Sequence, residues 1–120
     1  MLLIRRGKPP RMGEWSLPGG RMEWRERATE AALRELHEEA GVRADILGLL
    51  DVVDLMEGDH SAVLIDYAVR WTSGEPVAGD DATEARFWPA REALGLVTWS
   101  ETKRIIALAI ERFGTAVATD

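Results

Sequence analysis

Apolar and polar positions alternate in two rhythms along this chain. Leu2, Leu3 and Ile4 form a short apolar run closed by Arg5 and Arg6, which predicts a strand over residues 2–6. Residues 7–20 are rich in Pro, Gly and basic side chains and read as a loop. Residues 28–40 carry Leu33, Leu36 and Ala40 at helical spacing, and Gly41 stands where a C-terminal cap belongs. Residues 43–56 are mostly apolar with scattered Asp, the pattern of one or two strands, and residues 57–59 form a turn. Val63, Ile65, Tyr67, Val69 and Trp71 alternate strictly, predicting a strand over 62–71 with that side as its buried face. A Gly/Pro/Asp loop over 72–81 precedes a short strand at 84–88, which Pro89 ends. Thr98 to Glu101 has the form of a capping box. The helix it would open carries Ile105, Ile106, Ala109, Ile110 and Phe113 on one stripe, and Gly114 stops it. This order of elements predicts a layered α+β or α/β domain.

Composition narrows the class. A chain of 120 residues is one domain's worth, and 46% hydrophobic with 30% charged residues is the balance of an ordinary globular protein. There is no cysteine, so disulfides, Cys-zinc sites and thiol nucleophiles are excluded. Net charge is −6, which disfavours a nucleic-acid polymer as partner. If the chain handles a polyphosphate, it needs local Arg or Lys, or a metal, to cancel charge. No stretch approaches the ~20 apolar residues of a membrane span, and the start lacks the apolar core of a secretory signal. The expected setting is the cytoplasm, away from membranes.

One segment carries chemistry. On a helix Glu38 lies about 60° behind Glu35 and Glu39 about 40° ahead of it, so three carboxylates share one face. Alone they repel; a divalent cation at their focus would reverse the sign of that energy. Hard oxygen ligands suit Mg²⁺ or Mn²⁺. Arg34 neighbours Glu38 at i, i+4 and can hold it. Gly19 and Gly20 let the preceding loop approach a metal or phosphate closely. Taken alone, Glu-x-x-Glu-Glu would be a solvated helix face; the Gly pair, Glu26 and Arg34 at their spacings change that reading.

Gly20, Glu26, Arg34-Glu35-Leu36, Glu38-Glu39 and Gly41-Val42 stand at the spacings of the Nudix box, and the segment 20–42 resembles that family at every defined position. The lead-in Trp15 to Gly20 resembles it as well. The resemblance implies an α/β fold, an α/β/α sandwich with a mixed β-sheet, as a single domain over 1–120 with a C-terminal helix at about 99–113. It implies Mg²⁺- or Mn²⁺-dependent hydrolysis of a nucleoside diphosphate linked to a moiety X. Glu35, Glu38, Glu39 and the Gly20 carbonyl would be metal ligands. Arg34 would orient the glutamates, and Glu26 and Gly41 would support the loop–helix junction. The general base would be Glu35 or a distal carboxylate among Asp80, Asp81 and Glu84; turn chemistry is the simpler reading of Asp80 and Asp81. Family members usually begin with a strand before the one at 2–6. The sequence therefore starts late, the sheet is one strand short, or another chain covers the edge, and an exposed edge favours a homodimer.

Arg5 and Arg6 end a strand that, by resemblance, lines the cleft, and Arg6 is the better candidate for phosphate or base, with Gly19 and Gly20 beside it. Lys8 and Arg11 could steer an anion. The expected partner is a small-molecule nucleotide, ADP-ribose or a related nucleotide sugar. A (d)NTP pyrophosphohydrolase, a dinucleoside polyphosphate hydrolase and a non-catalytic nucleotide-binding regulatory module are the alternatives, the last weakened by the retention of every box glutamate.

Overall fold

A computed structural model describes residues 1–79 and 81–114, together with the backbone but not the side chains of Glu57 and His60. Three strands make one sheet: β1 (Leu2–Arg6) lies between β2 (Trp15–Ser16) and β5 (Ala82–Phe87), antiparallel to both. Long strands β3 (Arg43–Glu57) and β4 (His60–Ser73) form an antiparallel hairpin, the second sheet. The strand ladders are all antiparallel; the parallel component is a single bridge between Trp15 and Val97. Helices α1 (Ala28–Ala40), α2 (Ala90–Leu96) and α3 (Ser100–Phe113) cover the sheets. Among the described residues no helix is long and apolar enough to cross a membrane.

The apolar run at the start of the chain is explained by burial on both faces of β1. Leu3 packs with Ala93, Val97 and Ile106 of the α2–α3 side, while Ile4 packs with Leu36, Ala40 and Val42 of the α1 side. The sheet is thus the middle layer between helices. β1 is paired on both edges, Leu2 to Phe87 on one and Ile4 to Ser16 on the other.

The β3–β4 hairpin departs from the sequence reading in an informative way. Residues 43–57 form one strand, the first of the two expected alternatives, with register shifts around Leu47 and Leu50. On β4 the buried face is the other one. Ala68 is buried and Leu64 packs beside it against Leu50, Val53, Ile105 and Ala109, whereas Val63 is 59% exposed. The strictly alternating side meets α1 only at its far end, where Val69 packs on the Leu36 cluster. Strand periodicity marks two faces but does not say which helix reaches which.

Two helix starts also differ. The capping box at Thr98 does not form: Thr98 Oγ1 donates instead to the Glu14 carboxylate, a stronger acceptor, and the helix begins at Ser100. Helix α2 is too short for a periodic signal, and the sequence reading assigns no element to it. At α1 the reach-back of a capping box is present, with Arg27 N–H donating to Glu30 Oε1 at 3.1 Å.

Candidate active site

Helix α1 and the loop before it build the site, and Arg34 ties them together. Its Nε and Nη2 grip both oxygens of Glu26 at 2.6 and 3.0 Å, and Nη2 also donates to the Arg21 carbonyl at 2.7 Å. Its Nη1 donates to Glu35 at 2.8 Å and to Glu38 at 2.9 Å. One guanidinium therefore fixes the loop through Glu26 and Arg21 and offsets the repulsion of two helix carboxylates. Arg34 holds the Glu26 carboxyl below the usual carboxylate range, helped by the Glu23 N–H.

Gly20 is needed for close approach. A Cβ there would stand 2.2 Å from Cδ of Glu35, so any side chain would displace that carboxylate. Glu39 turns inward and is only 9% exposed, accepting a hydrogen bond from the Gly19 N–H at 3.0 Å. Burial first, then the neighbouring Glu35 and Asp81 charges, push its carboxyl up to about 7, against the pull of the Gly19 N–H and Arg6. A desolvated carboxylate repelled by two others is a site of uncompensated negative charge.

These groups share one pocket of about 490 Å³, whose lining includes Arg6, Gly19, Gly20, Glu35, Glu39 and Asp81. Basic groups line the same pocket. Arg6 is braced by donating from Nε to the Pro10 carbonyl at 2.7 Å, and Lys8 Nζ lies 2.6 Å from Asp81. The pocket therefore holds acidic and basic groups together, the two kinds of group a cation–phosphate pair requires.

Glu35, Glu39, Gly19, Gly20 and Arg6 are together as the sequence predicts. Other candidates are not. The Glu38 side chain is 55% exposed, rests on Arg34 and does not line the pocket. Among the described residues no group of three Asp, Glu or His side chains converges to cage a metal, so the focus of three carboxylates is not preformed. The donor set nonetheless fits a hard divalent cation. Glu35 and Glu39 carry oxygen ligands into one pocket beside the Gly20 backbone, and the raised Glu39 carboxyl marks charge that such a cation would cancel. Arg5 and Glu84 are paired with each other, Nη1 to Oε2 at 3.2 Å, with Arg5 Nε on the Gly13 carbonyl. Neither lines the pocket. Asp80 lies outside the described residues. Asp81, read from sequence as turn chemistry, is in the pocket.

The sequence reading also missed the clamp at the end of α1. Gly41 caps the helix with φ 73°. Val77 and Gly79 then donate backbone N–H groups to the Ala40 and Glu39 carbonyls at 2.9 and 2.8 Å. A Cβ on Gly79 would fall 2.0 Å from the Glu38 carbonyl oxygen, so the loop seats only because that residue is glycine. The glycines bounding the 74–79 stretch were the available signal.

Residues 1–109 match the NUDIX domain. An ADP-ribose pyrophosphatase of Methanocaldococcus jannaschii is 38% identical over 90 residues, 73% of this chain and 53% of that protein. The 8-oxo-dGDP phosphatase NUDT18 of Danio rerio is 32% identical over 100 residues, 80% of this chain and 30% of that one. The crystal structure of a MutT NUDIX hydrolase from Burkholderia pseudomallei has a TM-score of 0.75 at 29% identity, covering 89% of this chain and 85% of that one. The chain spans about half the length of the first curated relatives it matches.

Proposed function

The chain belongs to the NUDIX family, and from that premise we propose that it hydrolyses the pyrophosphate linkage of a nucleoside diphosphate joined to a second moiety, with Mg²⁺ or Mn²⁺ as cofactor. The observation that carries the reading is the buried Glu39 with Glu35 beside Gly20, in one pocket with Arg6 and Lys8. Glu35, Glu39 and the Gly20 carbonyl would hold the cation, joined by Glu38 from the same helix face. Such a cation neutralises the diphosphate and lowers the pKa of water.

The rest falls to the chain's own groups. Glu35 takes the proton of the attacking water, and Arg34 holds Glu35 in place through the 2.8 Å bond. Water adds across the P–O–P anhydride, so each product leaves with a terminal phosphate. Arg6 and Lys8 bind the diphosphate oxygens. Glu84, tied to Arg5 outside the pocket, yields the distal-carboxylate position to Asp81.

ADP-ribose is the substrate proposed first, on the ground of the 38% identical relative named for that activity. A nucleotide-pool-cleaning role is the second reading, on the ground of the 32% identical 8-oxo-dGDP phosphatase. The test is a panel of ADP-ribose, nucleotide sugars, 8-oxo-dGDP and (d)NTPs with Mg²⁺ or Mn²⁺, read by phosphomonoester release. ADP-ribose should yield AMP and ribose 5-phosphate. No cleavage of any member, with binding intact, would turn the reading to a regulatory nucleotide-binding module.

A further inference from the structure

The acidic pocket opens into a second, larger cavity of about 940 Å³, which shares Arg6, Pro9, Gly19, Gly20 and Arg21 with it. Its size suits a nucleoside. The cavity follows β4, whose edge away from β3 pairs with no strand among the described residues, and residues 61–69 all contribute to its wall. Most of the wall is apolar, with Leu64, Ala68, Ile105 and Trp99 among its members. The Trp99 indole is steadied by Arg11, whose guanidinium lies 4.5 Å from the ring centroid.

Asp66 breaks that apolar wall. It stands on β4 between Leu64 and Ala68, on the strand face that packs toward α3, where the alternation calls for a hydrophobic residue. The nearby guanidinium of Arg104 is committed elsewhere, to Asp51 at 2.8 Å and Glu101 at 3.0 Å. Asp66 makes no side-chain hydrogen bond or ion pair among the described residues, and burial pushes its carboxyl up. Its oxygens are not sealed from solvent, so in the free protein water serves them, and a ligand that fills the cavity and expels that water must bring a donor in its place.

We infer that Asp66 selects the base of the nucleotide: its carboxylate accepts a hydrogen bond from the exocyclic 6-amino group of a purine lying in the β4 cavity, while the diphosphate sits in the acidic pocket. This rests on the proposed nucleotide chemistry and adds the residue that reads the base. The amino group donates to the carboxylate. In hypoxanthine the same position is a carbonyl oxygen, so two acceptors would face each other and one would stay unpaired.

The experiment measures binding of ADP, IDP and the diphosphate of unsubstituted purine riboside by calorimetry in Mg²⁺, with the wild type and Asp66→Asn. The wild type should bind ADP about 10- to 100-fold more tightly than IDP, with the unsubstituted purine between them. Asp66→Asn, whose amide can donate as well as accept, should bring ADP and IDP within about threefold of each other. Equal wild-type affinities overturn the inference, and that arm needs no variant. A preference that survives Asp66→Asn overturns it as well. Discrimination in binding without hydrolysis of ADP-ribose would leave the inference standing and defeat the hydrolase reading; hydrolysis without discrimination would do the reverse.

Discussion

Glu39→Gln in the metal-free protein should abolish a specific dependence of stability on pH. Burial and the Glu35 and Asp81 charges raise the folded-state carboxyl of Glu39 from its ordinary 4.5 to about 7. Between those values the folded chain holds a proton that the unfolded chain has released. Stability therefore falls as pH rises through this window and is flat above it, because a raised acid binds its proton more tightly when folded. A window of about 2.5 pH units, at about 1.4 kcal/mol per unit, sets a ceiling of roughly 3.5 kcal/mol. Gln keeps the shape and an oxygen for the Gly19 N–H, and it does not ionise. The variant should thus match the wild type near pH 4.5 and exceed it by up to about 3.5 kcal/mol at pH 8. The assay is urea unfolding in EDTA at pH steps from 4.5 to 8, plotting variant minus wild type so that other titrations cancel. A difference that stays constant across the range would refute the reasoning. Adding Mg²⁺ at pH 8 should stabilise the wild type and leave Glu39→Gln nearly unchanged.

Three other substitutions probe separate parts of the site. Glu38→Gln removes an exposed partner of Arg34, so unfolding midpoints should hardly move while metal-dependent turnover drops about 100-fold or more; wild-type turnover would remove Glu38 from the ligand set. Gly20→Ala drives a methyl into Glu35 and should depress activity and shift the metal concentration for half-maximal rate upward, measured by Mn²⁺ titration. An unaltered titration would mean that the close approach is irrelevant. Leu36→Ala opens a cavity among Ile4, Ala40 and Val42 and should cost 2–5 kcal/mol, roughly, in denaturant unfolding; a cost under about 1 kcal/mol would place Leu36 outside the core.

The legible parts of this protein were those governed by local rules. The α1 span, its Gly41 cap and the pairing of Arg34 with Glu38 follow from helix geometry, and the structure repeats them. What the sequence could not disclose depends on long-range placement. The buried face of β4 was read from the more regular alternation, yet α3 covers the face holding Leu64 and Ala68. Glu39 sits on the carboxylate side of the helix but points into the protein, because the loop bearing Gly19 folds over it. Arg5 and Glu84 find each other across an antiparallel register no local rule specifies. Asp81 reaches the pocket only because the loop before it is pinned to the end of α1. That Asp66 lines the larger cavity was invisible for the same reason.

The glycine seat beneath residues 74–79 bears on how this scaffold can be altered. Surface connections usually accept added residues, since lengthening them costs little chain entropy. Here two backbone amides are spent on the last helical carbonyls, and Gly79 lies where any larger residue would collide. Extra residues in that segment would unseat the helix terminus and shift Asp81 relative to Glu39 in one stroke. The turn around Gly58, where a Cβ would meet nothing within 4 Å, carries no comparable duty. Grafts or affinity tags belong at that hairpin tip, and attempts to reshape the pocket by extending the glycine segment will dismantle it before they retune it.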